Sequence, residues 1–153
     1  MSRRNPVRIN YRDLERMVPI TKVIIEVVPH LTQRYETCGD WFRTVETNTN
    51  ATLHIRASKL GKDIDPYNLM ALCVGYHELT EALACIANNI GEKTVDEWDM
   101  NYTGDDPGAD EKCPYGPQHR FASIVEQKLL IAMGFFWSHY EKAIARLWKK
   151  PID

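Results

Sequence analysis

The stretch 67–89 constrains the fold more than any other part of the chain. It contains no proline, and apolar residues recur in it at spacings of three and four. That spacing puts side chains on one face of an α-helix. Pro66 before the stretch favours a helix start, and Gly91 after it favours a helix end. We expect one long helix whose buried stripe consists of Leu69, Leu72, Tyr76, Leu79, Leu83, Ile86 and Ile90.

Two segments before this helix have the composition of β-strands. Residues 23–28 are mainly β-branched, which predicts a buried strand. Residues 39–43 and the alternating segment 52–58 predict a hairpin with a long polar loop around 46–50.

After the long helix, the sequence predicts three more helices, at 94–102, 118–133 and 137–148. Thr94 and Glu97 have the spacing of a capping box. The intervening segment 103–117 is a long, acidic loop, and loops of this length often have a function. The resulting fold class is α+β, a three-stranded sheet with about four helices. We expect a single domain over 1–153, in which 1–19 form a polar N-terminal extension.

Composition narrows the possible partners and the compartment. The chain has 153 residues, 44% of them hydrophobic and 26% charged, with a formal net charge of −2. This composition fits one globular domain, and the charge argues against a nucleic-acid partner. No apolar run approaches 18 residues, so we expect no membrane partner. The four cysteines form no C-x-x-C pair, which indicates reduced thiols and a cytoplasmic location, in the host cell if a phage encodes the chain.

The predicted long helix carries the sequence His77-Glu78-Leu79-Thr80-Glu81. Residues four apart lie on one helix face, so His77 and Glu81 could hold one metal ion at the flank of the apolar stripe. Glu78 points about 100° away, where the general base stands in the H-E-x-x-H arrangement. The simpler interpretation is an amphipathic helix whose glutamates are solvated.

Two later helices offer further metal-binding groups. Asp99 lies on the predicted apolar stripe of 94–102, beside Asp96, and needs a metal, a histidine or an arginine as partner. His119 starts the next helix, where the helix dipole disfavours the imidazolium, so we expect a neutral ring that is free to bind metal. Glu126 follows two turns later on nearly the same face. A salt bridge of Asp99 and a surface position of His119 are the alternatives.

These groups together predict a metal site. Zinc catalysis uses three protein ligands, which His77, Glu81 and His119 could supply. Asp99 would be a fourth ligand or would orient a histidine, a role for which Asp96 and Glu126 are also candidates.

The predicted activity is metal-dependent hydrolysis. Glu78 would be the catalytic base, and the substrate would be an unknown small molecule or peptide. Zinc is the favoured metal, with magnesium or manganese as the alternative.

Two resemblances bear on this site. The strand at 52–58 followed by His-Glu-x-x-Glu resembles a minimal zincin, which implies a zinc hydrolase in which Glu81 replaces the usual second histidine. The span 39–126 also resembles short proteins of tailed bacteriophages that have no assigned activity. They carry an H-E-L-x-E-A-L helix, then V-D-x-x-D, a Gly/Asp/Pro loop and a histidine. The matching residues here are 77–83, 95–99, 104–110 and His119.

Two other functions stay open at this point. Glu78, Glu81, Asp96 and Asp99 are similar in spacing to the ExxE…ExxD pattern of MazG-like nucleotide pyrophosphohydrolases, which implies four carboxylates around magnesium. Alternatively, the chain is a non-enzymatic binding or inhibitory protein. A homodimer is possible in either case.

Overall fold

The computed structural model describes residues 17–149 and has the expected α+β fold. The strands are Ile20–Val28 (β1), Gly39–Thr47 (β2) and Asn50–Ser58 (β3). The helices are Leu69–Ala87 (α1), Glu92–Asn101 (α2), Gly116–Ala132 (α3) and Trp137–Ala145 (α4). Most of the predicted N-terminal extension lies outside the described residues.

The sheet has the strand order β1-β3-β2, with β3 in the centre. β1 runs parallel to β3, and β2 runs antiparallel to it. The expected long loop at 46–50 is wrong, because only residues 48 and 49 separate β2 from β3. Polar side chains continue the pairing there, since the Thr52 hydroxyl donates to Glu46 across the two strands (2.6 Å).

β1 is an edge strand rather than the buried strand expected from its composition. None of its residues is fully buried, and Val23 is 44% exposed. β-Branched residues favour an extended backbone whether or not the strand is central. Composition therefore predicted the strand but not its place in the sheet.

Helix α1 lies between the sheet and helix α3 and contacts both. Small residues let it approach the sheet closely. A Cβ atom on Gly75 would come within 3.0 Å of Cγ2 of Ile25 on β1, and Ala71 and Ala82 are fully buried. This position makes α1 the centre of the molecule and the natural support for a site.

The apolar stripe predicted for this helix is largely wrong. Leu69, Tyr76 and Leu83 are exposed by 40%, 46% and 48%, and of the predicted stripe only Ile86 is buried. The buried side instead contains smaller residues, among them Met70, Cys73, Val74 and Cys85. Both sides of the helix are apolar, so periodicity alone could not identify the buried one.

Several helix ends differ from expectation. Asn89, with a φ of 60°, takes the left-handed conformation after α1 that was expected of Gly91, and Gly91 instead precedes α2. Thr94 therefore lies inside α2, and no side-chain cap forms there. The terminal helix ends at Ala145, and a 3-10 turn follows over Arg146–Trp148.

Two further properties concern the whole described chain. Helix α1 is long and apolar enough by length and composition to cross a membrane, but 56% of that window is buried inside the protein, as in the core helix of a globular domain. The four cysteines are free thiols; Cys73, Cys85 and Cys113 are buried and Cys38 is half-buried.

Candidate metal site

Helices α1 and α3 bring the three predicted ligands together. His77 and Glu81 are one turn apart on α1, and both are buried, with 7% and 4% exposure. They lie within the buried side of the helix rather than at its flank. His119 lies in the first turn of α3, which packs against α1. The site is therefore inside the helix pair.

Each of the three side chains contributes one atom to the cluster. Nε2 of His77 is 3.2 Å from Nδ1 of His119, which is 3.0 Å from Oε2 of Glu81, and Nε2 of His77 is 3.4 Å from the same oxygen. Ligands of a tetrahedral zinc ion with bonds of 2.0–2.1 Å stand about 3.3–3.4 Å apart. Within residues 17–149, this is the one cluster of three such groups close enough to share a metal ion.

A carboxylate binds the other ring nitrogen of His77. Nδ1 of His77 is 2.9 Å from Oε2 of Glu126, seven residues after His119 on α3. The other oxygen of Glu126 accepts a hydrogen bond from the Tyr140 hydroxyl on α4. This arrangement places the proton of a neutral His77 on Nδ1 and leaves the lone pair of Nε2 directed at the cluster.

His119 is held in the same way by the loop that precedes its helix. Its Nε2 is 3.3 Å from Oδ1 of Asp106. Gly108, two residues later, lies so close to the imidazole that a Cβ atom would overlap the ring. The proton of a neutral His119 therefore belongs on Nε2, and Nδ1 is the ligand atom.

Glu81 has a different partner for each oxygen. Trp41 on β2 donates its indole N–H to Oε1 (3.3 Å), while Oε2 faces the two histidines. The three cluster atoms thus offer three lone pairs with no proton required between them. The residues present fit a divalent cation with nitrogen and oxygen ligands.

Without a metal ion, the cluster binds protons. Burial lowers the pKa of His119, but hydrogen bonds with Asp106 and Glu81 outweigh it and raise the pKa to about 9. Burial also opposes the imidazolium of His77, yet its bonds to Glu126 and Glu81 raise that pKa well above its usual value. The expectation of a neutral His119 is therefore wrong for the metal-free protein. Neighbouring carboxylates dominate the helix dipole there.

Glu78 lies on the side of α1 that faces the start of β2. Its side chain packs over Gly39 at the start of β2, where a Cβ atom would overlap it. Burial, and then the negative charge of Glu81, raises the pKa of Glu78 well above its usual value. This carboxyl group is therefore near Glu81 and readily holds a proton.

The remaining acidic candidates have other partners. Asp99 accepts hydrogen bonds from the hydroxyls of Tyr115 and Tyr35, the latter at 3.2 Å, rather than from a histidine. Burial and then the charge of Glu81 raise the pKa of Asp99 to about 6, although Tyr115 lowers it. Asp96 pairs with Arg34 (3.1 Å). Neither carboxylate belongs to the three-residue cluster.

Sequence reasoning missed three polar groups around the cluster: Trp41 and Asp106, which bond its ligands, and Tyr140, which bonds Glu126. Asp106 belongs to the acidic loop that was expected to be functional, so its composition was the one available signal. Trp41 and Tyr140 are 40 and 14 residues from the groups they bond. No local pattern links such distant positions.

The chain was compared with family models, with curated proteins and with solved structures, and none of the three comparisons gave a match.

Proposed function

We propose that this protein binds one divalent metal ion, preferably zinc, and uses it for hydrolysis. The observation that carries the proposal is the set of three ligands. In this set, the second ring nitrogen of each histidine is bound to a carboxylate. Three protein ligands leave a coordination position open, as catalytic zinc sites require. Two imidazole ligands favour zinc over magnesium, which prefers oxygen.

The chemistry assigned to the chain centres on Glu78. A bound ion would supply Lewis-acid activation of water. Glu78 would accept the proton of the attacking water and then deliver it to the leaving group. Burial and the charge of Glu81 raise the pKa of Glu78, which makes its carboxylate a stronger base than that of an exposed glutamate. Glu126 and Asp106 would hold the two histidines in position.

Charge around the site supports a substrate that is not a polyanion. The loop above His119 contains Asp105, Asp106, Asp110 and Glu111 and one lysine, Lys112. Such a loop would repel a triphosphate. Peptide and amide substrates fit this environment better than nucleotides. The four-carboxylate alternative is less favoured also because Asp96 and Asp99 have partners of their own.

Burial favours a second candidate, a metal that only stabilises the fold. The side chains of His77, Glu81 and His119 are 9%, 5% and 17% exposed. A substrate would have to approach past Asp106, whose side chain is 58% exposed. Structural metal sites are closed in this way, although they usually have four protein ligands.

Elemental analysis of protein purified without a histidine tag tests the site itself. We expect one zinc per chain, lost in His77→Ala and reduced in Glu81→Gln. Glu97→Gln is the matched control, because Glu97 is an exposed residue of α2. The proposal would be refuted if the original chain bound no divalent ion more tightly than the His77→Ala variant does.

Activity assays separate the two candidates. Glu78→Gln keeps the size of the side chain and should retain the metal, while hydrolysis of the best substrate in a peptide, amide and ester panel falls about 10²-fold or more. A metal-loaded protein inactive on the whole panel would favour the structural candidate. Loss of metal from Glu78→Gln would instead make Glu78 a ligand.

A further inference from the structure

Strand β1 has an open backbone edge. It pairs with β3 on one side, and no strand within residues 17–149 pairs with the other. The amide of Lys59 donates to the carbonyl of Val28 (2.8 Å), so Val28 turns its backbone groups toward β3. Because alternate residues of a strand turn opposite ways, Val23, Ile25 and Val27 turn theirs outward. Such an edge is a template for another strand.

The charged residues along this edge are complementary to those of a second, antiparallel copy of the same strand. In an antiparallel pair of two β1 strands centred on Ile24, positions whose numbers sum to 48 lie opposite one another. Lys22 then faces Glu26 of the partner subunit, and Glu26 faces the partner's Lys22. Oppositely charged cross-strand neighbours stabilise a sheet. Val23 lies opposite the partner's Ile25, and these are the residues whose backbone groups are free.

Apolar side chains beside the edge are also exposed. Val23 is 44% exposed on β1. Gly75 of α1 packs on Ile25, and its chain neighbour Tyr76 is 46% exposed.

We propose that the occupant of this edge is a second copy of the same chain. The two copies pair through antiparallel β1 strands about a two-fold axis at Ile24 and join two three-stranded sheets into one. Because of the two-fold symmetry, the Lys22–Glu26 pair occurs twice in the interface. This interface is independent of the metal site, whose ligands lie between α1 and α3.

Charge reversal tests the register. Light scattering on the eluting protein should give twice 17.7 kDa for the dimer. Lys22→Glu and Glu26→Lys should each raise the dissociation constant about tenfold, because like charges then face each other at two symmetric places. The double variant should return it to the original value. Lys62→Glu, in the loop after β3, is the control. A monomer at 100 μM, or a double variant as weak as the singles, would overturn the proposal.

A cysteine at the axis gives a second, independent test. Ile24 is the one position that faces itself, in a pair without backbone hydrogen bonds, where Cα atoms are about 4.5 Å apart and within disulfide range. Ile24→Cys should therefore form a covalent dimer on mild oxidation. Val23→Cys, which faces Ile25 of the partner subunit, should cross-link far more slowly. Equal rates for the two variants would contradict this register.

Discussion

Trp41 donates its indole N–H to the oxygen of Glu81 that does not face the histidines (3.3 Å). A glutamate ligand can accept this bond because its two oxygens are both acceptors. A histidine bound to metal through one nitrogen would present an N–H to the indole instead. The departure from H-E-x-x-H at Glu81 is therefore matched to Trp41 on β2.

The first prediction follows from this pairing. Glu81→His should lower zinc affinity by about 10–100-fold, although imidazole is a good zinc ligand, because two N–H donors then face each other. Adding Trp41→Phe should recover part of the affinity. Competition with a chromophoric chelator measures both. If Glu81→His binds zinc as tightly as the original chain, Trp41 does not select the carboxylate.

The second prediction concerns Gly108, which touches the ring of His119. Gly108→Ala should push the ring or the loop aside and lower zinc affinity about tenfold or more. Gly91→Ala is the matched control, because a Cβ atom there meets nothing within 4 Å. Chelator competition reports the affinity, and thermal melting shows whether the fold remains. Equal zinc affinities of the two alanine variants would count against the role of the loop.

The third prediction concerns the group behind His77. Glu126→Gln should reduce zinc affinity by about 10–100-fold, since the amide is a weaker acceptor for the Nδ1 proton. Tyr140→Phe should have a smaller effect, because it removes a donor to Glu126 rather than the acceptor itself. Glu141→Gln on the exposed side of α4 is the control. Zinc binding unchanged in Glu126→Gln would remove Glu126 from the site.

The fourth prediction is a pH dependence. Folding raises the pKa of His119 from 6.5 to about 9 in the metal-free protein. A raised pKa stabilises the fold fully below pH 6.5, and this contribution is lost as the pH rises through 9. The melting temperature of metal-free protein should therefore fall between pH 6.5 and 9. Zinc affinity should rise over the same interval, because protons no longer compete. A metal-free melting temperature that rises with pH would contradict the assignment.

The fifth prediction compares an exposed leucine of α1 with a buried leucine of α3. Leu83 is 48% exposed, so Leu83→Ala should cost about 0.5–1 kcal/mol in the free energy of unfolding of the monomer. Leu130 of α3 is fully buried, and Leu130→Ala should cost about 2–5 kcal/mol. Urea unfolding compares them. The apolar stripe expected from periodicity includes Leu83, so a cost of about 2–5 kcal/mol for Leu83→Ala would support that stripe.

Local patterns in the sequence were sufficient for the elements of the fold. Periodicity, β-branched runs and turn residues predicted the strands and helices to within a few residues. They could not determine burial on α1, because one side carries Tyr76 and Leu83 and the other carries Cys73 and Cys85. Which side is buried depends on where the sheet and α3 pack. Small residues such as Gly75 let the sheet pack closely against the side of the helix that faces it.

The site, like the fold, was predictable only in part. The i, i+4 spacing on a helix placed His77 beside Glu81, and the start of the next long helix suggested His119. The partners that fix their orientation come from a strand, a loop and another helix. Asp99 was expected to serve a histidine, but nearby tyrosines, Tyr35 and Tyr115, bind it instead. Such choices depend on long-range packing, which a single sequence does not encode in any local pattern.

Glu81 and His119 lie on two different helices, so an ion bound to both would affect how well the protein resists degradation in the cell. An ion held by both residues would act as a reversible cross-link that closes a loop of about 38 residues, comparable in its effect on the unfolded chain to a disulfide of that span. Unlike a disulfide, it would form in a reducing compartment and be removed by chelation. Resistance of the protein to proteases would then follow the supply of metal.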